Sequence, residues 1–273
     1  MIGARLVNGI DSAGIAPDDR GLHYGDGLFE TMAAVDGRLR HFNLHMERLC
    51  DGCRRLQMPE PDLAVIEAEC MRVLEGLDTA VVKLLLTRGP GPRGYRRPEN
   101  PTPTRLVSSS ARATEAGAAT RALKLRLCDT RLGLNSRLAG VKHLNRLEQV
   151  LACAEWRDPE IDEGLMFSAD GRLVCATAAN VFLLSEGRLL TPDIRDCGVA
   201  GVMRRVVITE APSLGLEVIV RDLALSDLNS AAEVFITNAV GGVRPVGEII
   251  GAGRWPVGEV TQRLRARVAA VLV

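Results

Sequence analysis

The chain has no net charge: 34 basic side chains stand against 34 acidic ones over 273 residues. A nucleic-acid partner asks for a clustered basic excess, and this balance argues against one. Aromatic residues are scarce at 3%, which removes the stacking platforms a single strand would use. No window approaches the ~18 consecutive apolar residues of a membrane span. The longest apolar strings, such as Val81-Val82-Lys83-Leu84-Leu85-Leu86, suit a buried strand instead. The opening residues are soon interrupted by Asn8, Gly9, Asp11 and Ser12, unlike a signal peptide. Seven cysteines are an odd, scattered set, read as reduced thiols in a chain large enough to need no staples. These features lead to the expectation of a soluble, cytoplasmic protein with neither a membrane nor a nucleic-acid partner.

Two further absences narrow the chemistry. There is no Gly-x-Ser-x-Gly elbow and no phosphate loop ending in Gly-Lys-Ser/Thr, so serine-hydrolase and nucleotidase readings lack support. Lysine is nearly missing: Lys83, Lys124 and Lys142 are the three among 34 basic residues. Any chemistry that requires a primary amine therefore has three candidates.

What is present reads as a mixed α/β chain in two parts, since 47% of residues are hydrophobic and ample for a core. Residues 29–35 and 38–42 flank Asp36-Gly37, a hairpin signal. Helical spacing of apolar residues predicts helices over 43–57 and 62–74, and strands are expected near 80–87 and 104–109. The small, polar stretch 110–120 reads as a linker between a smaller N-terminal α/β domain, 1–109, and a larger C-terminal one, 121–273. In the second part the pattern predicts a strand near 123–128, a helix over 143–156, three short strands punctuated by Asp170-Gly171 and Glu186-Gly187, a helix over 202–211, strands at 217–220 and 233–237, and a closing helix over 257–272.

Cys50-x-x-Cys53 with His41 and His45 upstream has the look of a metal or redox site. Both cysteines, however, lie on the apolar stripe of the expected helix, and no second pair completes four ligands. They read as core thiols, and no metal is expected. The Gly- and Pro-rich loop 88–98 carries Arg93, Arg96 and Arg97, whose paired donors suit carboxylates, as a solvated mobile loop would equally allow. Lys142 follows Gly140 and precedes the expected helix. A Schiff-base lysine must lose its proton, which lysine does when desolvated and arginine does not.

A set of ordered motifs says more. Asp19-Arg20-Gly21-Leu22-His23-Tyr24-Gly25-Asp26-Gly27-Leu28-Phe29-Glu30-Thr31 is followed by His45-Met46-Glu47-Arg48-Leu49 and Lys142-His143-Leu144-Asn145-Arg146-Leu147-Glu148-Gln149-Val150-Leu151. Next come Ala178-Ala179-Asn180-Val181-Phe182-Leu183, Leu190-Thr191-Pro192, Gly198-Val199-Ala200-Gly201-Val202-Met203-Arg204 and Thr237-Asn238-Ala239. From Asp19 to Val246 the chain resembles the fold-type IV pyridoxal-phosphate enzymes, the family of branched-chain aminotransferase, D-amino-acid transaminase and 4-amino-4-deoxychorismate lyase. The residues after Lys142 and the Arg93-Gly94-Tyr95 loop are most similar to the lyases.

The resemblance implies a two-domain α+β fold whose C-terminal domain binds pyridoxal 5′-phosphate. It implies Lys142 as the lysine that joins the cofactor and then moves protons, and Arg48 as a phosphate ligand. Gly201, Val202 and Met203 would meet the phosphate through backbone N–H groups, with Asn238 and Ala239 as a second phosphate loop. Tyr24, Arg93, Tyr95 and Arg97 are candidates for the substrate and its carboxylates. The implied reaction releases pyruvate from aminodeoxychorismate and leaves 4-aminobenzoate, a folate precursor; the implied assembly is a homodimer. The alternatives are a branched-chain or D-amino-acid transaminase, or a cofactor-binding homologue without turnover. One position departs from the family. Five residues before Asn180 a glutamate usually faces the cofactor's ring nitrogen, and here Cys175 stands there. A neutral thiol would hold that nitrogen less protonated.

Overall fold

In a computed structural model, which describes residues 3–11, 13–112 and 121–271, the chain divides into two compact units. All elements and absences below refer to those residues. One unit comprises Met1–Thr114 with Val141–Asn145, the other Glu115–Gly140 with Arg146–Leu272.

In the first unit Asp36-Gly37 turns the chain between β3 (Gly27–Val35) and β4 (Arg38–Leu39). The second arm of that hairpin is shorter than its sequence pattern predicts, because a helix already begins at Phe42. With β1 (Arg5–Val7), β2 (Ile10–Asp11), β5 (Thr79–Thr87) and β6 (Thr104–Ala111) these strands form a sheet in the order β2-β1-β6-β5-β3-β4. Residues 110 and 111 of the expected linker extend β6, and 113–120 lie outside the described residues. A short helix, α1 (Arg20–Tyr24), precedes β3.

One face of this sheet is covered by α2 (Phe42–Leu56) and α3 (Leu63–Leu74). Asp62 caps α3 through the N–H groups of Ala64 and Val65, satisfying two donors left open at a helix start. Strand residues Leu28, Met32, Val82, Leu84 and Leu86 meet helix residues Met46, Leu49, Cys53, Ile66 and Cys70 in one core. Cys50 and Cys53 thus lie in the packed interior, as the apolar stripe predicts. Burial pushes the Cys53 thiol up to about 12. Side chains alternate along a strand, so Phe29, Thr31, Lys83, Leu85, Leu106 and Ser108 share the opposite face.

The second unit holds a sheet in the order β12-β11-β10-β13-β14-β7-β8-β9, with β15 (Gly253–Arg254) paired to β14. Its strands are β7 (Leu123–Leu132), β8 (Glu163–Ser168), β9 (Leu173–Ala176), β10 (Asn180–Ser185), β11 (Arg188–Pro192), β12 (Val218–Arg221), β13 (Glu233–Asn238) and β14 (Gly242–Ile250). Phe182 and Phe235, opposite each other on β10 and β13, stack with centroids 5.0 Å apart inside the sheet's packing. The helices are α4 (Leu147–Cys153), α5 (Val202–Glu210) and α6 (Glu259–Ala270).

Two expectations need correction. The helix predicted over 143–156 is only α4, because residues 142–144 bond to β3 instead: Phe29 N–H donates to the Lys142 carbonyl and Leu144 N–H to the Gly27 carbonyl, each at 3.0 Å. Those bonds also explain why Val141–Asn145 groups with the first unit, although its sequence position lies within 121–273. The long strand β14 was not foreseen, since Gly242, Pro245 and Gly247 interrupt its apolar pattern.

Candidate active site

The backbone that aligns Lys142 with Phe29 also sets its side chain. Residues opposite one another on paired strands share a face. Lys142 therefore stands on the sheet face turned away from α2 and α3, with Nζ 4.0 Å from the centroid of the Phe29 ring. Lys83 reaches the same ring from β5, its Nζ 5.8 Å away. Two of the chain's three lysines thus approach one aromatic ring, a contact a π-face favours. The third, Lys124, lies on β7 and pairs with Glu160 at 3.0 Å. Sequence reasoning passed over Lys83 as part of a strand; its signal was the register with Thr31, which only pairing reveals.

On the other face of β3 sits a buried ionic cluster. Glu30, 1% exposed, accepts from His45 Nδ1 at 2.6 Å and from Arg48 Nε at 2.8 Å, and Arg48 Nη2 adds a second bond. His45 and Arg48 are one turn apart on α2, so a single carboxylate can hold both. Burial by itself would raise Glu30, but Arg48 and the bond from His45 outweigh it and hold the carboxyl below its usual range. Burial pushes His45 down, so its imidazole is neutral near pH 7, and the acceptor Glu30 assigns the proton to Nδ1. Glu30 and His45 belong to two separate motifs, and their sequence positions alone show no partnership.

The loop 88–98 is held from below. Arg20, 3% exposed, donates to the carbonyls of Gly94, Tyr95 and Arg96 and pairs with Asp26. Arg88 grips Asp26 as well and donates to the carbonyls of Leu56 and Gln57. Tyr24 Oη accepts from Gly94 N–H, and its ring lies 5.4 Å from that of Tyr95. The structure thus unites Tyr24 and Tyr95. Arg97 instead bonds Gln57, and Arg93 and Tyr95 are exposed, Tyr95 at 86%. Arg20, the residue that shapes the loop, belongs to the motif 19–31, but its partners in the loop lie 74 to 76 residues away and leave no local signal.

In the second unit, β10 starts at Asn180, opposite Thr237 on β13. Asn180 Nδ2 donates to the Val199 carbonyl at 3.0 Å. A Cβ at Gly201 would lie 2.0 Å from Asn180 Oδ1, so only glycine allows this approach. Gly201 is also the N-cap of α5 and supplies no side-chain cap for the N–H groups that follow, those of Val202 and Met203. Gly140, at φ 79°, exchanges backbone bonds with this turn: its N–H donates to Gly198 and its carbonyl accepts from Ala200. Asn238 folds the next turn, accepting from Val240 N–H at 3.1 Å and Gly241 N–H at 2.6 Å; Ala239 lies within that turn.

Cys175, on β9, packs with Cys128, Met166, Val174 and Cys197. Burial pushes its thiol up to about 12, so it is neutral at any working pH. Glu163 and Arg146 act on it electrostatically. Burial raises the Glu163 carboxyl, which is occupied by the Thr177 hydroxyl and by Gly164 N–H.

Each unit carries groups that fit a pyridoxal phosphate. In the second unit the uncapped start of α5 and the buried, unpartnered hydroxyl of Thr237 suit a phosphate monoester; in the first, the Lys142 amine suits an aldehyde. Such folds and groups are those of a pyridoxal-phosphate enzyme of the class IV type. The sequence profile of that family, "Amino-transferase class IV", matches residues 27–249, and the chain belongs to it. The chain is 35% identical to an aminodeoxychorismate lyase of Vibrio harveyi, over 96% of this chain and 98% of the relative. It is 26% identical to a D-alanine aminotransferase of Listeria innocua, over 92% and 87%. A crystal structure of 4-amino-4-deoxychorismate lyase from Pseudomonas aeruginosa superposes with a TM-score of 0.92 at 42% identity, covering 98% of this chain and 99% of that one. Among the described residues no helix is long and apolar enough to cross a membrane, and no group of three His, Cys, Asp or Glu could hold a metal ion.

Proposed function

We propose that this chain is a pyridoxal-phosphate-dependent lyase that releases pyruvate from 4-amino-4-deoxychorismate and leaves 4-aminobenzoate, a step toward folate. The observation that carries the reading is near-complete coverage, at 35% and 42% identity, of two proteins named as such lyases. When bound, the cofactor supplies an aldehyde for the substrate amine and an electron-withdrawing ring that acidifies the neighbouring C–H bond.

The residues take their roles around that chemistry. Lys142 Nζ holds the cofactor, then takes the proton from the amine-bearing carbon. Arg48, oriented by Glu30, is the phosphate ligand that the first unit offers; those of the second are the N–H groups of Val202 and Met203 after Gly201 and the turn of Asn238 and Ala239. Asn180, which bonds the Val199 carbonyl two residues ahead of Gly201, serves the cofactor as well. Lys83 supplies a cation for a substrate carboxylate beside Phe29. Arg93 and Tyr95, exposed on a loop that Arg20 makes rigid, serve substrate in a homodimer, with Tyr24 as their support and Arg97 fixing the loop's far end. The working location is the cytoplasm, in keeping with seven free cysteines.

Lys83→Met is expected to raise KM about tenfold with kcat changed little, the effect of losing one charge-assisted contact that binds without reacting. Steady-state kinetics on purified variants decides this, and an unchanged KM removes Lys83 from the site.

Cys175 fits a lyase better than a transaminase. A neutral thiol at the ring nitrogen weakens the electron sink, while loss of pyruvate makes the substrate ring aromatic and so supplies driving force of its own. Cys175→Glu should raise keto-acid-dependent transaminase activity, with Arg146 in electrostatic reach of the new carboxylate. Spectra of half-reactions with amino acids and keto acids read this out, and no rise counts against it. The function itself is tested by incubating enzyme, cofactor and aminodeoxychorismate while following 4-aminobenzoate fluorescence and pyruvate. Pyruvate-free transfer of an amino group to a keto acid would select the transaminase alternative, and cofactor binding without either product a homologue lacking turnover.

A further inference from the structure

Resting on the cofactor reading above, we propose that the Thr237 hydroxyl is a direct ligand of the cofactor phosphate. Thr237 is 1% exposed, and its Oγ1 is buried without a hydrogen-bond partner. Its neighbours show that this is no accident of core packing. Thr191, fully buried on β11, gives its hydroxyl to the Val181 carbonyl at 2.9 Å. Thr261, as deeply buried, donates to Glu233 at 2.6 Å. Buried hydroxyls in this unit therefore find acceptors, as their desolvation demands, and that of Thr237 stands apart.

Its position says what acceptor is missing. Thr237 is the cross-strand partner of Asn180, so both side chains rise from the same face of the sheet. On that face Asn180 meets Val199 and Gly201, the residues that lead into α5, and α5 packs against β13. The hydroxyl thus stands beside a nine-residue helix whose first N–H groups no side chain caps. These are donors only, and a hydroxyl beside them needs an acceptor that also suits helix-start amides. A phosphate monoester dianion meets both demands. Ala239, two residues on, has no hydroxyl to contribute, and the Asn238 Nδ2 donor is given to the Ala178 carbonyl at 3.3 Å, so Thr237 is the side-chain donor that this strand end offers.

The test uses Thr237→Val, which keeps the shape and removes the hydroxyl, and Thr237→Ser, which keeps the hydroxyl. Full-length enzyme freed of cofactor is titrated with pyridoxal 5′-phosphate and with pyridoxal, which lacks the phosphate, and its Tm is measured without either. Thr237→Val should bind pyridoxal 5′-phosphate about tenfold more weakly, with pyridoxal affinity unchanged, and Thr237→Ser should stay within about threefold of wild type. Without cofactor the valine variant should melt at or above the wild-type temperature, because an unsatisfied buried hydroxyl has gone. A purely structural threonine would instead lower Tm on losing its hydroxyl. Equal loss for both ligands, or unchanged affinity for pyridoxal 5′-phosphate, overturns the proposal. Should wild-type enzyme bind neither ligand, the cofactor reading fails and takes this proposal with it.

Discussion

Replacing Lys142 by alanine is expected to lower pyruvate release by about three orders of magnitude or more, because in the proposed role one amine would both hold the cofactor and move the proton. Lys142→Arg should be as damaging. A guanidinium keeps the charge beside Phe29 but stays protonated and cannot act as an amine nucleophile. Neither of the other lysines can take over. Lys124 is held by Glu160, whose hydrogen bond favours its charged form. Lys83 Nζ stands 5.8 Å from the Phe29 centroid, farther than that of Lys142, on a strand whose register fixes its Cα opposite Thr31. Borohydride reduction and peptide mapping should find the cofactor on Lys142 in wild type and in Lys83→Met, and nowhere in Lys142→Ala. A labelled Lys83, or activity within tenfold of wild type in the alanine variant, would sink the assignment.

Removal of Glu30 should unfold the first unit more readily than any surface change. Glu30→Ala leaves Arg48 and the buried His45 without their carboxylate, a loss on the order of 3–5 kcal/mol. Glu30→Gln keeps the shape and one acceptor, and should cost less. The cluster also makes stability depend on pH in one direction. Glu30 has a carboxyl held below its unfolded value of 4.5, so its contribution is present above that pH and is lost on acidification through the lower folded value. His45 has an imidazole held below 6.5, so as pH falls past 6.5 the unfolded chain takes the proton first and stability drops again. Urea midpoints between pH 8 and pH 4 should therefore fall for wild type, and His45→Gln should flatten the upper part of the fall. A midpoint for Glu30→Ala within about 1 kcal/mol of wild type would show that the cluster is incidental.

Most helices and strands were legible because apolar spacing and cap residues act locally. Asp62 ahead of α3 and Gly201 ahead of α5 mark their helix starts in the sequence as in the structure. The stretch 143–156 was misread for the opposite reason. Its apolar spacing is helical, yet two backbone bonds to β3 keep residues 142–144 out of the helix. Tertiary pairing outweighs propensity there, and it does so at Lys142, the amine proposed to react. Strand β14 escaped notice because its glycines and proline blur the alternation that marks a strand.

The sequence by itself determined the family and singled out Lys142 and two backbone-rich loops as candidates for the cofactor, because these rest on residue types in a fixed order: a scarce amine, a glycine ahead of a helix start, and a thiol where a carboxylate is usual. Only the tertiary structure decided which partners those residues keep. Glu30 joins His45 and Arg48, Lys83 joins Lys142 at Phe29, and Arg20 lies beneath a loop 74 to 76 residues away along the chain. Such pairings depend on strand register and on burial, and both come into being when the chain closes on itself.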